Sequence, residues 1–317
     1  VGKIMFAKDF VRHKFTGDYV TDNIEAEGSM LFDYNRQCWS EELCGILSLD
    51  ARALPKIVSP SDVAGTVSAD AAADTGLCEG TTVLCGTTDT VMEVFAAGAV
   101  SEGQMTLKLA TAGRICVVTS KSYPDKNLIN YSHVIDGLWY PGTATKSCAA
   151  SYRWYRDTFG GDYAELDRGA ESIAPGADGL VFSPYLNGEL TPYADPKLCA
   201  SFIGVRSSHT KAHFTRAVLE GVSMSILDCK NELEKIGIPH EDRAAIVEKK
   251  YADSSFGSAM FAGVAAGFWK TPKDALDVCN ETVSETVPDA KNHALYKKVF
   301  ERYKKVHDAL APIYNED

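Results

Sequence analysis

Residues 82–98, Thr82-Val83-Leu84-Cys85-Gly86-Thr87-Thr88-Asp89-Thr90-Val91-Met92-Glu93-Val94-Phe95-Ala96-Ala97-Gly98, decide how the chain is read. The first five read as a buried strand, and the small-residue run from Val91 to Gly98 reads as a helix. Just downstream, residues 105–110 and 114–119 read as two strands joined by a tight Thr111-Ala112-Gly113 turn. A strand that feeds a helix and is followed by a strand pair belongs to a layered α/β domain.

Working outward supports that class. Residues 4–15 space their apolar side chains along one helical face, and Thr16-Gly17-Asp18 closes the helix. Ser40 caps a short helix, residues 51–80 are rich in breakers, and 70–76 is a helix ended by glycine. Residues 179–185 form a strand or buried loop. A long helix follows over 213–235, with Phe214, Ala217, Val218, Gly221, Val222, Ile226 and Cys229 recurring at helical spacing. A strand at 244–247 precedes a small-residue helix at 256–269. The last helix, 290–310, carries Leu295, Val299, Tyr303, Val306 and Leu310 on one face, with Lys297, Lys298, Lys304 and Lys305 as a solvated side.

Composition narrows the function classes. The 317 residues are 45% hydrophobic and 24% charged, which is globular composition with room for about two cores. A net charge of −11 with no basic stripe argues against nucleic acid, and no apolar run reaches bilayer length. The 9 cysteines are scattered without a C-x-x-C pair, and Cys85 and Cys116 sit in apolar runs. They read as reduced, small hydrophobes, and a cytoplasmic location is expected. The chain opens Val1-Gly2-Lys3 with no initiator methionine and no signal peptide, so it is expected to begin inside a longer sequence.

Two segments can carry chemistry. Asp89 lies just past a strand, before a helix, where an open α/β sheet presents ligands. There it can accept a proton from a substrate hydroxyl, or it can cap the helix through its carboxylate. The 109–113 hairpin can bring backbone N–H groups and the Thr111 hydroxyl close to phosphate oxygens, or it can merely connect strands. His209 and His213 stand four apart without a third ligand, so surface or capping roles are expected and no metal site is assigned. Walker, G-x-S-x-G and dinucleotide fingerprints are absent from the sequence.

In order, these segments resemble the FGGY family of carbohydrate kinases, and within it the xylulokinase-like members. The family's C-terminal signature is matched by Ala200-Ser201-Phe202-Ile203-Gly204-Val205, seven residues, then His213-Phe214-Thr215-Arg216-Ala217-Val218-Leu219-Glu220. Upstream, the run ending Gly188-Glu189-Leu190-Thr191-Pro192 resembles a family segment, with Leu190 in place of the usual arginine. Lys8-Asp9-Phe10 through Tyr19-Val20-Thr21-Asp22 looks like the tail of the family's N-terminal domain.

The resemblance implies an actin-like, ribonuclease-H-like ATPase fold of two domains with a sugar-binding cleft between them. It further implies an ATP-dependent sugar kinase that uses ATP and Mg²⁺. Asp89 falls on the catalytic base, in contact with the substrate. Thr111 and Gly113 fall on the phosphate-binding hairpin, where Ala110 replaces a glycine, and Ala149 and Arg153 fall on a segment lining the nucleotide site. Residues 1–80 are then the remnant of the sugar-binding domain, and 81–317 the nucleotide-binding domain. A small sugar is the partner, with xylulose first among pentuloses and polyols, and a homodimer is compatible with this reading.

Two family features are missing. Nothing resembles the opening Asp-x-Gly-Thr turn. After the strand at 244–247, Glu248-Lys249-Lys250-Tyr251-Ala252-Asp253 leaves no room for the family's adenine loop and helix, so a segment is expected to be absent near 247–250. Asp253-Ser254-Ser255-Phe256 resembles the start of the helix beyond that site. The alternative is a non-catalytic actin-like binding module that has lost its nucleotide site.

Overall fold

The helix Ala7–Thr16 ends where Gly17 takes a left-handed conformation (φ 76°) and returns its N–H to the His13 carbonyl. This is the closure expected from Thr16-Gly17-Asp18. The face it buries is not the expected one. Phe10 and Val11 are 52% and 55% exposed, whereas Asp9 and Arg12 are 1% and 6% exposed. Charges with i,i+3 spacing read as a surface ion pair in sequence, and here the same spacing is turned inward.

The computed structural model describes residues 2–241, 246–250 and 253–316. The chain forms two compact units. The first comprises residues 1–101, 131–140 and 248–284, and the second 102–130, 141–247 and 285–317.

In the first unit, strand Val20–Asp22 pairs in parallel with Lys56–Val58, and Val63–Thr66 pairs antiparallel with Thr82–Leu84. Both partner strands lie in the 51–80 stretch that reads as loop, because each is too short to show alternation. The strand at 82–84 is only half-buried, not the buried strand expected, since it belongs to a two-stranded sheet. Short helices follow their caps: Ser40 bonds the Leu43 N–H ahead of Glu41–Ile46, and Gly76 ends Ala69–Thr75 at φ 76°. Helix Asp89–Ala96 buries Val91, Met92, Val94, Phe95 and Ala96. It packs on helix Ser254–Ala265, where Gly257 allows close approach: a Cβ there would lie 2.3 Å from the Met92 carbonyl oxygen. Asp253 caps that helix through the Phe256 N–H at 2.9 Å.

In the second unit, Met105–Leu109, Gly113–Val117 and Gly142–Thr145 form an antiparallel sheet in that order. The 26-residue helix Lys211–Ile236 lies against it, burying Ile226, Cys229 and Leu233 with Ile115 and Val117. The same helix packs on the hairpin Val181–Ser183 with Ser201–Ile203. Gly221 makes this possible, because a Cβ would stand 2.2 Å from the Phe182 carbonyl oxygen. Helix Ala290–Tyr314 completes a cluster around Tyr185, Leu198, Met224 and Tyr303. Its lysine face is not uniformly solvated, since Lys304 reaches Asp228 at 2.9 Å and the Tyr193 hydroxyl at 2.7 Å.

The expected strand at 244–247 is found at Ile246–Lys249. Ala244, Ala245, Tyr251 and Ala252 lie outside the described residues. None of the nine cysteines is in a disulfide, and Cys85 and Cys116 are buried as expected. Burial pushes the Cys85 thiol up to about 12. No helix among the described residues is long and apolar enough to cross a membrane.

Candidate functional site

Asp89 opens its helix but does not cap it. The N-cap is Thr88, whose side chain accepts from the Val91 N–H, and Asp89 is the first helical residue. Its carboxylate is exposed, accepting a 3.3 Å hydrogen bond from the Thr90 hydroxyl. The capping role left open by the sequence therefore belongs to its neighbour. A carboxylate in the first turn gains from the positive end of the helix dipole, and this one keeps an open oxygen for a ligand.

Behind Asp89 lies a cluster that the sequence does not single out. Arg12 donates to Asp9 at 2.8 Å and to the Cys85 carbonyl at 2.7 Å. Lys8 bridges Asp9 and Asp22, each at 2.7 Å. Asp22 is fully buried, caps helix Asn23–Gly28 through the Ile24 and Glu25 N–H groups, and accepts from the Thr87 hydroxyl at 2.7 Å. Burial depresses the Lys8 ammonium, but Asp22 and Asp9 outweigh it and hold the pKa above its ordinary value. Glu25 is raised by burial first, opposed by Lys8, with Asp22, Asp9 and Asp89 adding repulsion. The charge of Asp89 is thus the smallest of the influences that keep the half-buried Glu25 carboxyl above its ordinary value.

In the second unit the hairpin and helix Ala149–Phe159 come together. Leu109 pairs with Gly113, leaving Ala110, Thr111 and Ala112 as the turn. The Ala110 carbonyl accepts from the Ala149 N–H at 2.9 Å, and the Thr111 carbonyl from Cys148 and Ala150 at 3.0 and 3.3 Å. The turn thereby caps the helix that carries Ala149 and Arg153. Thr111 and Ala112 are exposed, and among the described residues their N–H groups have no partner. Arg153 is exposed one turn along. Gly113 is buried between Leu109 and Thr145, where a Cβ would meet the Ile226 Cδ1 at 2.4 Å. Two amides, a hydroxyl and a guanidinium near one turn suit a polyphosphate.

The sequence motifs have structural duties of their own. Glu189 is buried and accepts from the Thr145 and Ser225 hydroxyls and from the Lys146 and Leu190 N–H groups, at 2.6, 3.1, 2.8 and 2.7 Å. Glu220 of the signature receives Gly176 N–H, Arg216 and the Tyr296 hydroxyl. His213 completes a capping box with Thr210, the capping role expected, whereas the His209 side chain is buried, accepting the Arg206 N–H at 3.2 Å and meeting Asp178 at 3.3 Å.

Both units carry family motifs and the matching families agree. Residues 1–96 match the N-terminal domain of the FGGY family of carbohydrate kinases, and 82–247 match its C-terminal domain. The chain belongs to the FGGY family of carbohydrate kinases. A xylulose kinase of Lactococcus lactis subsp. lactis is 28% identical, covering 100% of this chain and 68% of the relative. One of Bacillus subtilis is also 28% identical, covering 96% and 66%. The chain spans about two thirds of the length of such relatives. The ligand-bound xylulose kinase of Lactobacillus acidophilus superposes with a TM-score of 0.90 at 23% identity, over 100% of this chain and 69% of that one. That likeness fixes the fold as the actin-like one of sugar kinases. The non-catalytic binding module gains no support from these comparisons.

Proposed function

We propose that this protein transfers the γ-phosphoryl group of MgATP to a hydroxyl of a ketopentose, with xylulose the first substrate to test. The observation that carries the reading is Asp89, exposed in the first helical turn with its capping duty taken by Thr88. Asp89 contacts the sugar and accepts the proton of the attacking hydroxyl as the oxygen bonds to phosphorus and ADP leaves. The choice of sugar rests on the names of the relatives.

The nucleotide's phosphates are assigned to the Thr111 turn, with the Thr111 and Ala112 amides, the Thr111 hydroxyl and Arg153 as donors. Gly113 serves by letting the hairpin pack, and Ala149 by anchoring the helix to it. When bound, Mg²⁺ neutralises charge on the phosphates, and it is taken here as part of MgATP.

We assign residues 1–80 to the tail of a sugar-binding domain and 81–317 to the nucleotide-binding domain. The match of the C-terminal family domain ending at 247 supports a segment missing near 247–250. The Lactococcus alignment also runs over 347 positions against 317 residues, so that relative carries residues this chain lacks. A cytoplasmic location is assigned from nine cysteines that form no disulfide. Homodimerisation is a matter for light scattering.

The test is D89N in the full-length protein, with ADP release measured across ketoses, aldoses and polyols. A loss of about 10²–10⁴ in kcat is expected. Wild-type turnover by D89N would remove Asp89 from the role.

A further inference from the structure

The loop delivering Asp89, residues 85–88, has no regular structure, and Gly86 within it stands at φ 68°. Such a loop needs anchors to fix the carboxylate it carries. On the near side, the Cys85 N–H donates to the Asp62 carbonyl at 2.8 Å and the Gly86 N–H to the Pro60 carbonyl at 3.0 Å. The other two anchors come from one ionic chain. Arg12 donates to the Cys85 carbonyl, and Asp22 receives the Thr87 hydroxyl. Between them run Arg12 to Asp9, Asp9 to Lys8, and Lys8 to Asp22. The chain closes a bracket around Gly86, and the Thr87 contact is its link nearest Asp89 in sequence.

Burying three charges beside a partly exposed Lys8 is a poor way to gain stability, because well-packed apolar residues commonly do as well or better. What charges add is direction: each hydrogen bond fixes one atom relative to another. Asp22 also takes the first N–H groups of helix Asn23–Gly28, through Ile24 and Glu25. One carboxylate thus holds both the loop bearing Asp89 and the start of a helix.

We propose that Asp22 is a positioning residue for Asp89, acting through the Thr87 hydroxyl, with Lys8, Asp9 and Arg12 as the frame that holds it. This rests on Asp89 being the base. The Thr87 hydroxyl donates its proton toward Asp22 and takes no part in the chemical step. Its removal changes where the Asp89 carboxylate sits, so turnover falls while the sites for ATP and sugar keep their affinity.

The test uses the full-length protein, MgATP, and whichever sugar of the ketose, aldose and polyol panel turns over fastest. T87V keeps the shape and removes the hydroxyl, and T87S restores it. T87V is expected to lower kcat by about 10- to 100-fold, with KM for ATP and sugar within about twofold and T87S near wild type. Thermal unfolding run in parallel separates positioning from folding, since kcat is read well below each midpoint. Wild-type kcat in T87V, or a T87S defect as deep as that of T87V, overturns the proposal. Should T87V fail to fold, T87A against T87S carries the same comparison, and equal turnover overturns it. D89N keeps the two ideas apart. If D89N is active, the base assignment fails; if D89N is inactive and T87V normal, only the positioning role fails.

Discussion

Asp22 and Glu189 are both carboxylates withdrawn from water, and the two units hold them by opposite chemistry. Asp22 is balanced by a cation, Lys8, inside a chain of four charges. Among the described residues Glu189 has no cationic partner and is held by two hydroxyls and two backbone N–H groups. The first arrangement suppresses the cost of burial by pairing, the second by replacing hydration with fixed dipoles. The difference has a functional side. The charged chain grips the loop of a proposed catalytic group, whereas Glu189 stitches a strand, a loop and a helix into the core.

The largest stability effect should come from breaking the paired site. D22A strands Lys8 beside one remaining carboxylate, removes the cap of helix Asn23–Gly28 and frees Thr87. A loss of about 3 kcal/mol or more is expected in urea unfolding. A loss below about 1 kcal/mol would mean that water enters readily and that the pairing is not what holds the cluster.

A smaller effect is expected at Glu189, and it carries a pH signature. Burial raises the Glu189 pKa above its ordinary value of 4.5, and the four donors only partly oppose this. The folded state therefore holds the proton more tightly than the unfolded chain. The stability from this group is complete below the ordinary value and is lost as pH rises through the folded value. E189Q turns an amide N–H toward a donor and should cost about 1–3 kcal/mol. Its penalty against wild type should be greatest near pH 4 and shrink toward pH 7. A penalty that grows with pH would show the carboxylate to be favoured over the acid, which would make the two buried sites alike.

The same contrast explains what was legible beforehand. Helix ends and turns were, because Gly17, Ser40 and Gly76 signal locally. Asp89 was found by its place between strand and helix, yet whether it or Thr88 caps is a matter of one residue and needs coordinates. The buried network was not legible. Lys8, Asp9 and Arg12 have the spacing of any solvated helical face, and their partners Asp22, Cys85 and Thr87 are remote in sequence. Lys304 reads as solvated for the same reason, since its partners Asp228 and Tyr193 lie far along the chain. Glu189 was visible as part of a motif, but a motif shows which residue is present and not what solvates it.

The smallest effect is expected one residue from Glu189, at Leu190, where the family's arginine is missing. The Leu190 N–H serves the Glu189 carboxylate, while the residue is 42% exposed. Backbone holds the carboxylate here, so exchanging the side chain should leave that bond intact. L190R is accordingly expected to change unfolding free energy by no more than about 0.5 kcal/mol. The pH dependence assigned to Glu189 should be retained in L190R, because none of its four donors is a Leu190 side-chain atom. A loss above about 1 kcal/mol, or a flattened pH profile, would show that the leucine side chain shields the carboxylate. Glu189 would then depend on its apolar cover as much as on its donors.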